Sequence, residues 1–454
     1  MTRIRTALLA AALAGLGQPL AANAQAASAH AAAADPVDAA WARYHATMKQ
    51  QYDRINSSEF SKDPQIRTQG VYFLQGLQAT GFNMYVAPRQ QYPALYIHQV
   101  FMPFELSWGL PNPDFLYHWT FLDGKKTYRI HGNRKGSRWT TLQVQRGFWG
   151  DKIAGTLANV DFDDLPVKED GSFEIFLGPN PPADTRGQYW VKLEPSSDNV
   201  VLNMRETFVD WSKDVPMTVR IETLDRDPDA TLNLTPAQLA ARIDKLTAWI
   251  LYNVNFSIGY LNRGLGEDGP GGFWGITDTT NIPPAVANDK ARRNRFSVYE
   301  GPPGTHGGNP LACYPFAVYD IKPDEALIIE MPIVEARYWG FQLGDIWAST
   351  TDYSYHQSSL NAAQARVDKD GVFRAVLSLG DPGVPNWLDP AGIPVGTAQA
   401  RWYKSEKCVV PTAKLVKLAD VRKHLPGDTP VVTPAQRKSA IDVRRAASLN
   451  RYGY

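Results

Sequence analysis

The sequence predicts a mainly β protein with two β-sandwich or jelly-roll-like domains, a helical connector between them and helices at the C-terminus. Three observations support this fold class. The chain has 454 residues, more than one hydrophobic core usually serves. Short runs of alternating polar and apolar residues, separated by turn sequences, recur in both halves. The composition is rich in aromatic residues (11%), poor in charged residues (20%) and contains 33 Pro and 35 Gly, as expected for many strands joined by turns.

The N-terminus has the features of a secretory signal peptide. Two arginines precede a short apolar segment at residues 7–20. Residues 22–24 (Ala-Asn-Ala) form a small-x-small cleavage site, with residues 24–26 (Ala-Gln-Ala) as a second choice. The apolar segment is short for a membrane span, although an uncleaved anchor is the alternative. We therefore expect a signal peptide at residues 1–24 and a periplasmic or secreted protein.

The charge balance argues against two classes of partner. The chain carries 47 basic and 46 acidic residues, a net charge of +1. Proteins that bind nucleic acids or membrane surfaces usually show a basic excess. Beyond the N-terminus, no stretch approaches the roughly 18 apolar residues of a membrane span. We therefore expect a small-molecule ligand rather than a nucleic acid, and a protein that is not membrane-embedded.

The N-terminal half is predicted to contain one helix followed by strands. Trp41, Tyr44, Met48 and Tyr52 recur at spacings of three and four, which places them on one face of a helix over residues 35–55. Asp-Gly and Gly-Pro turns separate the alternating runs that follow. Strands are predicted at residues 92–100, 127–131, 139–144, 172–177 and 217–221.

The C-terminal half is predicted to begin with a connector helix. Residues 235–238 (Thr-Pro-Ala-Gln) form a capping box at its start. Residues 264–304 are rich in Gly and Pro without a clear period, which is typical of a lid, a binding loop or a linker. Strands follow at residues 326–331, 338–343, 371–379 and 396–403, and helices at residues 413–424 and 434–449.

Changes in the sequence period divide the chain into six segments. No sequence repeat is strong enough for a solenoid or a propeller. The two strand blocks with Asp-Gly turns are candidates for distant structural repeats. The segments are a signal peptide (1–24), a leader and N-terminal helix (25–60), an N-terminal β domain (61–232), a helical connector and long loop (233–300), a C-terminal β domain (301–412) and C-terminal helices (413–454).

The two cysteines, Cys313 and Cys408, are candidates for a structural disulfide. An even number of cysteines in an oxidising compartment is typical of a disulfide-bonded protein. The bond would close a loop of about 95 residues. Their spacing matches no metal motif, so two free buried thiols are the main alternative.

Short motifs in a consistent order link the chain to a known family. Together they resemble the bacterial family known as domain of unknown function 1214, preceded by the β-rich region that often accompanies it. The resemblance implies a two-domain, mainly β protein and an association with steroid or aromatic catabolism, but it assigns no reaction. The motifs are Asp324-Glu325-Ala326-Leu327, Arg337-Tyr338-Trp339, Phe341-Gln342-Leu343, Ser358-Ser359-Leu360-Asn361, Asp370-Gly371-Val372-Phe373, Pro385-Asn386-Trp387-Leu388-Asp389 and Arg401-Trp402-Tyr403 in the C-terminal block, with Asn112-Pro113-Asp114, Asp123-Gly124, Thr127-Tyr128-Arg129-Ile130 and Gly171-Ser172-Phe173-Glu174 before it.

The turn at residues 383–390 is the first candidate ligand site. It places Asn386, Trp387 and Asp389 between prolines. A rigid turn of this kind can present an aromatic face beside hydrogen-bonding groups, which fits a sugar ring or a flat polycyclic ligand. The alternative is a structural turn in which Trp387 fills the core and Asn386 caps backbone groups.

A second candidate site combines a histidine with nearby carboxylates and a phenol. His356 can act as a general acid or base near neutral pH. Asp345, Asp352 and Asp389 are the carboxylates that could accompany it, and Tyr355 is also a ligand-binding candidate. The alternative is an exposed polar loop.

Arg401, beside Trp402 and Tyr403, is a third candidate. An arginine can clamp an anionic group or stack on an aromatic ligand. The alternative is a structural ion pair with a carboxylate such as Asp389.

Neither a metal site nor a cofactor is predicted. His98, His118 and His131 could bind a metal only if adjacent strands brought them together, and no His-rich metal motif supports this. The sequence has no serine hydrolase elbow and no Rossmann fingerprint, and residues 301–308 lack the Lys-Ser/Thr of a phosphate loop.

Three functional hypotheses follow. The leading one is an exported protein that binds, and could process, a small hydrophobic or polycyclic molecule such as a steroid or an aromatic compound. The second is a carbohydrate-active hydrolase or lyase on a β-sandwich scaffold. The third is a structural envelope protein without a small ligand.

Overall fold

Two β-sandwiches with the same strand order follow one another along the chain in the computed structural model. Both lie within one compact unit, Pro36–Tyr454. The predicted signal peptide and most of the predicted long loop lie outside the residues that the structure describes. The described residues are 35–88, 90, 92–97, 107–134, 136–151, 154–182, 189–197, 199–229, 231, 233–264, 293–298 and 308–452.

The N-terminal sandwich pairs a larger sheet with a smaller one. Its described strands are β1 (Tyr96–Ile97), β2 (Phe115–Leu122), β3 (Tyr128–Asn133), β4 (Trp139–Arg146), β5 (Gly155–Asp161), β6 (Ser172–Gly178), β7 (Tyr189–Lys192), β8 (Val200–Thr207) and β9 (Thr218–Thr223). The larger sheet has the order β1-β2-β8-β4-β5, and the smaller sheet has the order β7-β6-β3-β9. Leu142 and Leu202 of the larger sheet share one buried apolar cluster with Ile130 and Ile175 of the smaller sheet. This cluster is the core of the sandwich.

The C-terminal sandwich is built in the same way. Its described strands are β10 (Ser297–Val298), β11 (Ala312–Cys313), β12 (Pro315–Asp320), β13 (Glu325–Pro332), β14 (Ala336–Gly344), β15 (Ser359–Asn361), β16 (Val372–Ser378), β17 (Trp387–Leu388), β18 (Val395–Ser405) and β19 (Thr412–Lys417). The larger sheet has the order β10-β12-β18-β14-β15, with β11 also on β18, and the smaller sheet has the order β17-β16-β13-β19. Phe341 and Trp402 share the core cluster with Leu327 and Phe373.

The second sandwich repeats the topology of the first. β12 to β19 take the places of β2 to β9 in both sheets, in the same order along the chain. The parallel pairing of β6 with β7 recurs as β16 with β17. Gln143 on β4 lies opposite Asn203 on β8, and Gln342 on β14 lies opposite Gln399 on β18. The two halves are therefore structural repeats, and the predicted fold class is confirmed.

Among the described residues, three helices pack on the outer face of the larger N-terminal sheet. Leu77 and Trp249, from two of these helices, share a buried cluster with Trp119 and Phe121 of β2. The face of the sheet that points away from its own core is therefore buried as well. The helices are α1 (Pro36–Ser57), α2 (Pro64–Gly81) and α3 (Pro236–Gly264).

Helix α2 lies where the sequence indicated the beginning of the β domain. Asp63 caps it by accepting hydrogen bonds from the backbone N–H groups of Gln65 and Ile66. Phe73 and Leu77, one turn apart, are buried. Three glycines within the helix weaken its propensity, so its stability comes from this packing more than from local preference.

The C-terminal tail contains β19, a short 3-10 helix and helix α4 (Pro434–Asn450). The prediction of a helix over residues 413–424 is wrong in its first half, because Thr412–Lys417 pairs with β13 as an edge strand. Residues 418–424 form the 3-10 helix. The capping box of α4 is present, with Thr433 as its first residue. None of the described helices is long and apolar enough to cross a membrane.

Cys313 and Cys408 lie at disulfide distance, with Cα atoms 5.8 Å apart. Cys313 belongs to β11 and lies opposite Trp402 of β18. The cysteine pair therefore joins the beginning of the C-terminal sandwich to the segment that follows its longest strand.

Candidate functional site

The two sandwiches meet through the outer faces of their larger sheets. Leu142 on β4 lies in its own core, and its neighbour Gln143 points to the opposite face. Gln143 Nε2 donates a hydrogen bond of 3.1 Å to the backbone oxygen of Gly308 in the other half. Gln342 Nε2 donates in return to the backbone oxygen of Pro111, also at 3.1 Å. Equivalent glutamines of the two repeats thus make reciprocal contacts.

Two Asn-Pro turns make a second reciprocal pair of contacts. Asn112 Nδ2 donates to the hydroxyl of Tyr338 at 2.8 Å. Asn309 Nδ2 donates to the hydroxyl of Thr141 at 3.0 Å. Contacts in which one residue reaches the partner and its equivalent reaches back are typical of twofold arrangements. The equivalent asparagines of the two repeats thus each reach into the other sandwich.

Each Asn-Pro turn is held by a tyrosine five residues later. The backbone N–H of Asn112 donates to the hydroxyl of Tyr117 at 2.9 Å, and that of Asn309 donates to the hydroxyl of Tyr314 at 2.8 Å. The two tyrosines therefore occupy equivalent places at the contact between the sandwiches.

An arginine occupies the same position on the central strand of each larger sheet. Arg205 on β8 and Arg401 on β18 come two residues after Asn203 and Gln399. Because residues two apart share one face of a strand, all four side chains point away from the cores. Burial raises the pKa of Tyr117, and the charges of Arg401 and Arg205 oppose that rise. Both guanidinium groups therefore lie near the same phenol.

Arg401 is incompletely bonded although it is only 6% exposed. Its Nη2 donates to the backbone oxygen of Leu110, and its guanidinium carbon lies 5.8 Å from the ring centroid of Tyr314. Within the described residues, its Nε and Nη1 groups have no hydrogen-bond partner. Asp389, the carboxylate suggested as a structural partner, pairs with His356 instead. Leu110 has a φ of 52°, an uncommon conformation for a non-glycine residue that often occurs at functional sites.

Several amide oxygens on the same outer faces are also unbonded. The side-chain oxygens of Asn203, Gln399 and Gln145 are buried and accept no hydrogen bond from the part of the chain that the structure describes. Nearly all buried polar groups in folded proteins have a partner. The contact between the sandwiches therefore combines unbonded donors with unbonded acceptors.

Aromatic rings line this contact. The hydroxyls of Tyr314 and Tyr403 are 3.3 Å apart. The ring of Tyr403 packs edge-on against Trp139 and Phe115, with centroid distances of 5.4 and 5.5 Å. Such rings offer apolar surface with polar edges. Aromatic rings and the unbonded donors of Arg401 therefore lie in the same contact between the sandwiches.

The Asn-Trp turn is bonded to its own sandwich. Asn386 Nδ2 donates to the backbone oxygens of Arg366 and Arg374 at 2.7 and 2.8 Å. Trp387 Nε1 donates to the backbone oxygen of Ser378 at 2.9 Å. A cavity of about 10 Å³ lies beside Asn386, close to the space needed for one water molecule. A larger ligand at this turn would require the turn to open.

His356 and Asp389 come together as a pair. His356 Nδ1 lies 2.7 Å from Asp389 Oδ2, and the histidine side chain is 39% exposed. The hydrogen bond to Asp389 raises the pKa of His356, and the charge of Asp352 adds to this rise. Tyr355 is exposed, with the guanidinium carbon of Arg445 at 5.7 Å from its ring centroid. A histidine oriented by a carboxylate is an arrangement that acid–base catalysis uses.

Asp345 lies in a different environment. Its Oδ1 accepts hydrogen bonds of 2.9 Å from the backbone N–H groups of Trp347 and Ser349. Burial raises the pKa of Asp345 to about 7. Among the described residues, no hydrogen bond or ion pair joins it to His356 or Asp389. The same part of the chain contains no group of three or more His, Cys, Asp or Glu side chains that could hold a metal ion.

Arg401 was predicted from the sequence as a candidate site residue, but its equivalent Arg205 and the amide residues beside them were not. A pattern that occurs in both halves of the sequence could have identified them. The motif Asn-Pro-x-x-x-Tyr occurs at residues 112–117 and again at residues 309–314. An amide residue two positions before an arginine also occurs in both halves, as Asn-Met-Arg and Gln-Ala-Arg. Aligning the halves on these motifs pairs the two arginines.

Comparison with known proteins identifies one family and several solved structures. The model of a family described as "Protein of unknown function (DUF1214)" matches residues 119–206. No curated protein matches the chain. An uncharacterised protein from Burkholderia cenocepacia is 25% identical, with a TM-score of 0.69 over 84% of this chain and 97% of that chain. The VPA0106 protein from Vibrio parahaemolyticus is 12% identical, with a TM-score of 0.40 over 76% of this chain and 98% of that chain.

The matched residues lie in the N-terminal sandwich, from β2 to β8. The motifs that carry the resemblance in the sequence lie chiefly in the C-terminal block. The match therefore lies in the block that was interpreted from the sequence as the region preceding the family domain. The resemblance of this chain to the DUF1214 family is thereby confirmed, together with the fold that it shares with the Burkholderia protein.

Proposed function

We propose that this protein is exported and binds a small aromatic or polycyclic molecule between its two sandwiches. The observation that carries the proposal is the buried guanidinium group of Arg401, whose Nε and Nη1 have no partner among the described residues. An unbonded buried polar group costs about 1–3 kcal/mol, and more when it is charged. A ligand with a hydrogen-bond acceptor would remove this cost.

The aromatic surroundings support an aromatic ligand. Tyr314, Tyr403 and Trp139 bring phenol and indole rings to the contact that contains Arg401. Flat ring systems gain burial and favourable ring–ring geometry against such side chains. Contacts between domains are also favoured places for small-molecule sites.

Two features of the chain support export. The N-terminal sequence has the charge, apolar segment and small residues of a signal peptide. Cys313 and Cys408 lie at disulfide distance, and disulfides persist mainly in oxidising compartments.

The proposal can be tested by thermal unfolding of the mature protein with steroids, neutral aromatics, aromatic acids and oligosaccharides. A compound that binds only the folded state raises the unfolding temperature by mass action. We expect a rise of several degrees with an aromatic or polycyclic compound. Arg401→Gln should abolish that rise. Arg129→Gln should retain it, because Arg129 lies on the smaller N-terminal sheet and pairs with Glu174 and Glu222.

Other outcomes of this screen would overturn the proposal. If no compound class stabilises the protein, the structural envelope hypothesis is favoured. If the stabilisation is unchanged in Arg401→Gln, the ligand binds elsewhere. The 2.7 Å pair of His356 and Asp389 supports carbohydrate-active chemistry as a second candidate. Cleavage of an oligosaccharide that is lost in His356→Gln would favour that candidate.

A further inference from the structure

We infer that the ligand presents a carboxylate to Arg401, so that its chemical class is an aromatic carboxylic acid. This inference rests on the proposed function. Arginine stays charged at physiological pH, and Arg401 is 6% exposed. A neutral acceptor would accept a hydrogen bond but leave the buried charge uncompensated. A carboxylate would accept the bond and also compensate the charge.

Arg437, another buried arginine, has the counter-charge that Arg401 lacks. Arg437 Nε lies 3.0 Å from Asp381 Oδ2. Burial raises the pKa of the Asp114 carboxyl, and the charge of Arg451 is among the effects that oppose the rise, so these two groups are close. Within the described residues, Arg401 forms no ion pair. The ligand would supply the missing anion.

Arg401 is held in place before a ligand arrives. Its Nη2 is bound to the backbone oxygen of Leu110, and its guanidinium carbon lies 5.8 Å from the ring centroid of Tyr314. Its remaining donors, Nε and Nη1, are the unbonded ones. A donor that is already positioned loses little freedom on binding. Because Nε and Nη1 lie on different edges of the guanidinium plane, a carboxylate would bind to one of them and place its charge beside the group.

The surroundings favour an aryl acid over an inorganic anion. Tyr314 and Tyr403 lie beside the guanidinium group, and Trp139 packs on Tyr403. An aryl ring can pack on such side chains. A hydrated inorganic anion gains nothing from them and must lose water to enter.

Comparing the affinity of each acid with that of its amide separates the effect of the charge from the effect of the ring. Binding of benzoate, benzamide, 2-naphthoate and 2-naphthamide to the mature protein would be measured by titration calorimetry at constant ionic strength. Sodium phosphate and sodium sulfate would serve as inorganic probes. We expect each acid to bind at least tenfold more tightly than its amide. Arg401→Gln should bring acid and amide to the same level, and Arg401→Lys should retain part of the preference because the charge remains.

The unfolding temperature of the ligand-free variants provides a second readout. Removing an uncompensated buried charge should leave the temperature unchanged or raise it. A fall of several degrees in Arg401→Gln would show that the arginine is structural and would overturn the inference. Arg129→Gln is the control for a strand arginine outside the site.

The failure of this inference is distinguishable from that of the proposed function. Equal binding of acids and amides would refute the carboxylate and leave the proposed function intact. Phosphate or sulfate binding as tightly as 2-naphthoate would refute an aryl acid in favour of a simple anion site. Binding of none of the aromatic probes would overturn both.

Discussion

Asn386 and Arg401 are both buried polar residues, but their hydrogen-bonding atoms are used differently. Asn386 donates to two backbone oxygens and accepts from the backbone N–H of Arg366. Arg401 keeps its Nε and Nη1 without a partner among the described residues. A side chain whose bonds are complete holds its own turn in place. One whose bonds are incomplete keeps donors that a ligand or a water molecule can satisfy.

Asp345 should make the stability of the protein depend on pH. Burial raises its pKa to about 7, from 3.8 in the unfolded chain. Between these values the folded state keeps a proton that the unfolded state releases. The stability from the neutral carboxyl is therefore complete below about pH 4 and falls as the pH rises towards 7. Above pH 7 the carboxylate is charged in both states, and its burial is unfavourable.

We predict that Asp345→Asn flattens this dependence. The asparagine oxygen can still accept the two backbone hydrogen bonds, which both go to Oδ1. The variant should therefore be at least as stable as the wild type at pH 8, and its unfolding free energy should change less between pH 4 and 7. Urea unfolding at several pH values measures this. Asp420→Asn, at a partly exposed carboxylate, is the control. An unchanged pH slope in Asp345→Asn would contradict the prediction.

Helix α4 connects both sandwiches largely through arginine side chains. Arg444 donates to the backbone oxygen of Tyr353 and to the hydroxyl of Ser359 in the C-terminal half. Its guanidinium carbon also lies 4.4 Å from the ring centroid of Trp211, which follows β8 of the N-terminal sandwich. Just beyond the helix, Arg451 lies 4.1 Å from the same ring centroid. The helix therefore stabilises the contact between the two halves.

We predict that Arg444→Met lowers the free energy of unfolding by about 1–3 kcal/mol, because buried acceptors lose their donors. The neighbouring variant Arg445→Met should change it little, because Arg445 is exposed. Urea unfolding of the two variants measures the difference. Equal effects of both substitutions would show that α4 does not depend on its buried arginines.

The whole molecule is organised around the contact between two repeated sandwiches. Reciprocal hydrogen bonds from Gln143 and Gln342 cross this contact. Phe115, Trp139 and Tyr338, from both halves, share one buried cluster there. The two cores are therefore coupled by polar and apolar contacts that neither sandwich can form alone.

We predict that the protein without its predicted signal peptide unfolds in a single thermal transition. Separate domains usually unfold separately, but here the loss of one sandwich would expose the buried face of the other. Tyr338→Phe, which removes the hydroxyl that donates to Asp114 at 2.6 Å, should lower the temperature of the one transition without splitting it. Differential scanning calorimetry measures both. Two resolved transitions in the wild type would refute the coupling.

Local patterns predicted much of the architecture. Strands such as Ser172–Gly178 and Val372–Ser378 follow Asp-Gly turns and were expected within one or two residues. The helices that begin at Pro236 and Pro434 have proline-containing capping boxes. β2 and β8 were not predicted, because their residues are almost all buried. A strand covered on both faces lacks the alternation of polar and apolar residues that marks a half-exposed strand.

By itself, the sequence determined the fold class, the candidate cysteine pair and the selection of Arg401 as one candidate site residue among several. Only the tertiary structure decided which of those residues meet. Arg401 contacts Leu110, which lies far away along the chain, and faces the same phenol as Arg205. The physical reason is that turns and strand periodicity depend on neighbouring residues, whereas the bonding of a buried charge depends on which segments the two packed sheets bring together.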